Sequence, residues 1–88
     1  MEVSFDPRKD AINQIKHGIS LADAARFDWN SVIAREDIRR DYGEIRMIGI
    51  GYIGRRLHVV VYHGRADVLR IISLRKANKR EEKCYAET

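Results

Sequence analysis

The chain has 88 residues, 44% hydrophobic and 34% charged, with one proline and six scattered glycines. That length suits a single domain spanning 1–88 with one thin core, and the composition excludes disorder, low-complexity repeats and collagen-like arrays. The charge is asymmetric: residues 1–44 carry seven basic and nine acidic side chains, residues 45–88 ten and four. Between Arg46 and Arg80 stand nine cations and one anion, Asp67. Such a half calls for a polyanionic partner, nucleic acid or an acidic protein.

Val3–Phe5 reads as a short edge strand. Asp6-Pro7 then opens a helix, with Asp at the N-cap and Pro at the first helical position. Ala11, Ile12 and Ile15 give that helix an apolar face, expected to point inward, and Gly18 stops it. Ser20 and Asp23 resemble a capping box before a second short helix, about Leu21 to Phe27. Leu21, Ala24 and Ala25 are expected inward, with Phe27 and Trp29 closing the end.

Ser31–Ala34 is a possible strand, and Asp41–Glu44 a turn. After Gly43 the hydrophobic period becomes two. Ile45–Ile53, Leu57–Tyr62 and Val68–Leu74 read as three strands, separated by turns at Gly54–Arg56 and His63–Ala66. Short connections make them an antiparallel meander. Alternation would place Arg70, Ile72 and Leu74 on one sheet face and Ile71, Ser73 and Arg75 on the other. Gly49 and Gly51 inside a strand mark a bulge or a close backbone approach. Asn78 and Glu81 start a C-terminal helix, about Lys79 to Ala86. The order β-α-α-β-β-β-α is that of an α+β sandwich, with helices on one face of an antiparallel sheet.

No nucleotide-binding, P-loop or zinc-protease motif occurs, and no Cys/His cluster has metal-ligand spacing, so neither a cofactor nor a metal is expected. Cys84 is a lone cysteine, and no export signal or apolar span is evident, so the expected location is the cytoplasm, away from membranes. The basic residues carry the functional signal. Arg70, Arg75, Lys76, Lys79 and Arg80 fall on one strand and the helix start after it, a cationic patch suited to RNA phosphates. His63 in a turn, Glu44 before the first meander strand and Tyr85 on the last helix are candidates for moving protons. His17, at a helix C-terminus, reads as structural.

Several segments together resemble one family. Phe5-Asp6-Pro7 with Lys9 is followed by Asn13 and by Lys16-His17-Gly18. Glu44-Ile45-Arg46 precedes a glycine-containing strand, and Arg70 through Ala77 is followed by Arg80-Glu81 and Tyr85. This chain resembles the BrnT family of type II toxins, small ribonucleases of bacterial toxin–antitoxin operons. Leu21 stands where the family usually has an aromatic residue, and Asn78 where it often has Thr.

The resemblance implies a RelE-like fold, with two N-terminal helices packed on one sheet face and a short C-terminal helix. It implies RNA cleavage that inhibits translation and growth. It also implies neutralisation by a BrnA-like ribbon-helix-helix antitoxin, through which alone the operator DNA of the operon would be bound. Metal-free cleavage by the substrate's own 2′-OH needs a base, an acid and cations for the phosphate. Glu44, Arg46, His63, Arg70, Arg75, Arg80 and Tyr85 are the candidates for that catalytic set. The competing expectation is a non-catalytic basic module that binds nucleic acid or an acidic protein.

Overall fold

The computed structural model describes residues 2–65 and 67–88. A five-stranded sheet has the spatial order β1-β5-β4-β3-β2, where β1 is Glu2–Ser4, β2 Ile33–Glu36, β3 Met47–Ile53, β4 Arg56–Arg65 and β5 Val68–Lys76. Helix α1 is Pro7–His17 and α2 is Lys79–Ala86.

Local signals set the ends of α1. Asp6 accepts a hydrogen bond from the Arg8 N–H at 2.8 Å, Pro7 follows, and Gly18 takes φ +72° while its N–H bonds Gln14. The buried face is another matter. Ile12 and Ile15 are 62% and 88% exposed, and the residue α1 buries is Asn13. The reason lies in the sheet. Among the described residues β1 pairs only with Val68–Arg70, so no described strand borders β5 beyond Arg70 on that side. Helix α1 lies there instead. The Asn13 amide donates to Leu74 O at 2.8 Å and to Ile19 O at 2.9 Å, and its carbonyl accepts from Leu74 N at 3.2 Å. One polar side chain thus does what a neighbouring strand would do for a buried backbone.

The second expected helix is a 3-10 helix, Leu21–Arg26, capped by Ser20. Three residues per turn put Leu21 and Ala24 on one buried face and turn Ala25 out to solvent. Asp10 ties α1 to this segment by accepting from the Ser20 hydroxyl and the Leu21 N–H. A further 3-10 turn, Trp29–Ser31, delays β2 to Ile33.

The meander β3-β4-β5 is antiparallel as expected, with Gly54-Arg55 as a two-residue hairpin. The sheet as a whole is mixed, because β1 runs parallel to β5. Parallel pairing needs a long crossover, and here most of the chain separates the two strands. The turn expected at His63–Ala66 is displaced: β4 continues through Arg65, and Ala66 lies outside the described residues.

A bulge in β5 changes which side chains share a face. Val61 pairs with Ser73 but Tyr62 pairs with Ile71, so Ile72 is an extra residue. The alternation reverses there, and Leu69, Ile71 and Leu74 all enter one core with Leu21, Ala24, Phe27, Ile53 and Val60. Arg70, Ser73 and Arg75 consequently share the opposite face. Strict alternation had separated Arg70 from the other two.

The helices are not confined to one face. Leu57, Val59 and Ala77 form a second core with Ile48, Ile50 and Tyr85 of α2 on the side opposite the first. The run Val59–Val61 is apolar on both sides because both sides are packed. Gly49 and Gly51 mark a close approach: an added Cβ would stand 2.9 and 2.7 Å from methyl groups of Val32.

Candidate functional site

The bulged face of β4 and β5 is flanked by α1 on one side and by the segment 37–46 on the other. That segment is organised around one carboxylate. Asp37, with its side chain 1% exposed, accepts from Arg39 Nε and Nη2 at 2.8 Å each, from Arg39 N at 3.2 Å and from the Tyr42 hydroxyl at 2.9 Å. The Arg39 hydrogen bonds hold the Asp37 carboxyl far below the usual range, and Asp37 in turn raises Arg39. The Asp37 N–H closes the neck of the loop on Arg46 O at 2.7 Å.

This scaffold positions the next two residues. The Arg46 guanidinium lies 4.2 Å from the centre of the Tyr42 ring, a cation–π contact, and its Nε donates to Glu44 at 2.9 Å. That bond lowers the Glu44 carboxyl, with the charges of His63, Arg46 and Lys9 adding to the effect. His63 Nδ1 is 2.9 Å from Ile45 O. A carbonyl only accepts, so Nδ1 carries the hydrogen and Nε2 is left as the ring position that can exchange a proton. Arg70 is the cross-strand partner of His63. Glu44, Arg46, His63 and Arg70, from three separate parts of the chain, therefore meet at one end of the sheet face.

The other candidates are placed differently. Arg75 is on the same face but forms a fork with Glu81 at 2.8 and 2.9 Å, which raises Arg75 and lowers Glu81. Lys76 pairs with His58, whose ring packs edge-on against Phe27, so Lys76 belongs to the opposite side. Lys79 and Arg80 are exposed on the first turn of α2, and Arg80 lines a groove with Ile33, Arg35, Cys84 and Tyr85. The Tyr85 hydroxyl donates to Ser31 O at 2.8 Å, and its ring stands edge-on to Tyr52 at 5.6 Å, the position of a strut. The strand-to-helix junction thus does not gather its five cations into one patch.

Sequence reasoning missed Asp37, Arg39 and Tyr42, which build the site without a periodic signal. The pointers were short-range: an Asp-x-Arg pair, and Asp41 accepting from the Gly43 N–H. It also set His17 apart as structural. His17 lines a groove with Lys9, Lys16, Ile72 and Ser73, and burial lowers its pKa, with Lys16 and Arg75 adding to that. Among the described residues no group of three or more His, Cys, Asp or Glu side chains is placed to hold a metal ion. No described helix is long and apolar enough to cross a membrane.

Residues 5–81 match the family model described as the ribonuclease toxin, BrnT, of type II toxin–antitoxin systems. No curated protein matches the chain.

Proposed function

The chain belongs to the BrnT family of ribonuclease toxins of type II toxin–antitoxin systems, and from that premise we propose that it is a metal-independent endoribonuclease. The observation that carries this reading is the meeting of Glu44, Arg46, His63 and Arg70 on one sheet face. His63 Nε2 takes the proton of a substrate 2′-OH, which attacks the adjacent phosphorus. Arg46 and Arg70 stabilise the charge that develops on the phosphate oxygens. The imidazolium so formed returns its proton to the departing 5′-oxygen. Glu44 orients Arg46 through their hydrogen bond. Arg75, Lys76, Lys79, Arg80 and Tyr85 lie outside this centre, and the exposed cations among them guide the RNA backbone along the protein.

In this reading the protein acts in the cytoplasm and inhibits translation by cleaving RNA. A BrnA-like antitoxin neutralises it, and the pair binds operator DNA through the antitoxin. Incubation with RNA in EDTA tests the activity. Fragments ending in 2′,3′-cyclic phosphate are expected, and His63→Gln is expected to lose cleavage while keeping its circular dichroism spectrum. Cleavage that stops in EDTA and returns with a divalent ion would refute the mechanism. Salt-sensitive RNA binding without cleavage would establish the non-catalytic basic module instead.

A further inference from the structure

Helix α1 meets β5 along a groove at the edge of the sheet. Lys9, Ile12, Lys16 and His17 line it from α1, and Ile72 and Ser73 line it from β5. Positions 9, 12, 13 and 16 follow the i, i+3, i+4, i+7 spacing of one helix stripe. Asn13 lies in that stripe, and its amide is spent on the backbone of Leu74 and Ile19. The bulge shapes the opposite wall, because Ile72 is the extra residue of β5. Ser73, the next residue, lies on the face of Arg70 and Arg75, so the groove borders the face that holds the candidate site.

The groove is cationic, and its polar side chains are uncommitted. Lys9 and Lys16 are exposed, and neither enters an ion pair among the described residues. The carboxylates at this end of the chain work elsewhere: Asp6 caps α1, and Asp10 holds Ser20 and Leu21. The side-chain hydrogen bonds of α1 and β5 run through Asp10, Asn13, Gln14 and Arg75; among the described residues none engages His17 or Ser73. Burial, Lys16 and Arg75 lower the His17 pKa, so at pH 7 the ring adds a donor and an acceptor but little charge. The groove encloses about 170 Å³. A pocket for a drug-sized ligand holds about 300–1,000 Å³, so this one takes a single small group and not a folded segment of protein. Two lysines, a hydroxyl and an imidazole around so small a space suit one phosphate.

We propose that this groove is a backbone subsite for RNA, which takes the phosphate next to the one being cleaved. Lys9 and Lys16 neutralise that phosphate, and the Ser73 hydroxyl and a His17 N–H donate to its oxygens. The strand fixes the path. Same-face side chains along β5 repeat about every 7 Å, so an RNA chain anchored at Arg70 meets Ser73 one step on. A positively charged groove that tracks the backbone grips a single strand whatever its sequence. The subsite rests on the RNA reading above, and it adds a grip on the substrate outside the centre that moves protons.

A 2′-O-methyl RNA hexanucleotide has no free 2′-OH to attack its own phosphates, so it reads the subsite apart from catalysis. Its binding to the full chain is followed by fluorescence anisotropy over a series of KCl concentrations. Each neutralised phosphate of a single strand contributes about 0.7 to the slope of log affinity against log salt. Lys9→Gln/Lys16→Gln removes one such contact, so the slope should fall by about 0.7 and the affinity at low salt on the order of tenfold. Both lysines are exposed, and the variant is expected to keep the parental melting temperature. Ser73→Ala should lose about three- to tenfold in affinity with its slope unchanged, because it removes a hydrogen bond and no charge. Lys83→Gln, at an exposed lysine of α2, is the control and should change neither quantity. Parental slope and affinity in both groove variants would overturn the proposal, as would an equal loss in Lys83→Gln. A parent chain without salt-dependent binding of the hexanucleotide would overturn it too. Displacement of the RNA by inorganic phosphate at constant ionic strength would make a free anion the occupant, and displacement by polyglutamate an acidic protein; either result removes the RNA assignment. The ribonuclease reading fails separately. A chain that shows the expected change of slope but never cleaves unmodified RNA keeps the subsite and loses that reading, whereas parental binding in the groove variants beside intact cleavage loses only the subsite.

Discussion

Replacing Asn13 with Ala tests the least expected feature of the fold. Asn13 is 5% exposed, and its amide satisfies the Leu74 N–H, the Leu74 C=O and the Ile19 C=O. Alanine removes all three partners at once. The two Leu74 groups are buried, and leaving a buried polar group unmet costs about 1–3 kcal/mol each. Ile19 O is only partly buried, so water replaces much of that bond. The expected loss is therefore about 2–6 kcal/mol, from a total that a domain of this size holds at about 4–13 kcal/mol. At about 4–8 °C per kcal/mol the melting temperature should fall by at least about 8 °C. Thermal unfolding followed by far-UV circular dichroism at pH 7 reads this directly. Ile15→Ala is the control: it removes an exposed side chain and should change stability by less than about 0.5 kcal/mol. A melting temperature that barely moves for Asn13→Ala, or one that falls further for Ile15→Ala, would refute the account of α1 as a polar substitute for a strand.

Gly51→Ala places a methyl group 2.7 Å from Val32 Cγ2 and 3.3 Å from the Val32 Cα. The backbone of the Val32 segment must give way, so denaturant titration should show a loss of about 1–3 kcal/mol. Asn78→Ala removes the cap on the Glu81 N–H, and the same titration should show about 1 kcal/mol lost; an unchanged midpoint would place the start of α2 elsewhere. His58 is buried, and desolvation pushes its pKa below the usual value. The unfolded chain therefore binds a proton more readily, and stability should fall as the pH drops from 7 through about 6.5. His17 is shifted in the same direction, so His58→Gln should reduce that slope without removing it; an unaltered slope would show that His58 does not contribute.

The elements that were legible in the sequence are those whose signals lie within a few residues of where they act. Asp6-Pro7 and Gly18 bound α1, Gly54-Arg55 turns the meander, and Asn78 and Glu81 form the reciprocal cap of α2. Each works through bonds between near neighbours, so it survives whatever the rest of the chain does. The resemblance to BrnT toxins was legible for a related reason: its residues are spread along the chain in order, and the family match spans 5–81.

The tertiary structure decided what depended on distant partners. Hydrophobic periodicity turned Ile12 and Ile15 inward, but the uncovered edge of β5, 61 residues on from Asn13, demanded a polar side chain there instead. One extra residue at Ile72 reversed the alternation of β5 and moved Arg70 onto the face of Arg75. The junction Arg75–Arg80 looked like a single cationic patch, but Glu81 pairs with Arg75 and the pleat sends Lys76 to the other side. Glu44, Arg46, His63 and Arg70 were each visible as candidates, yet nothing local joined them. Their meeting depends on the β3–β4–β5 register and on the loop that Asp37 organises, whose neck closes where the Asp37 N–H bonds Arg46 O.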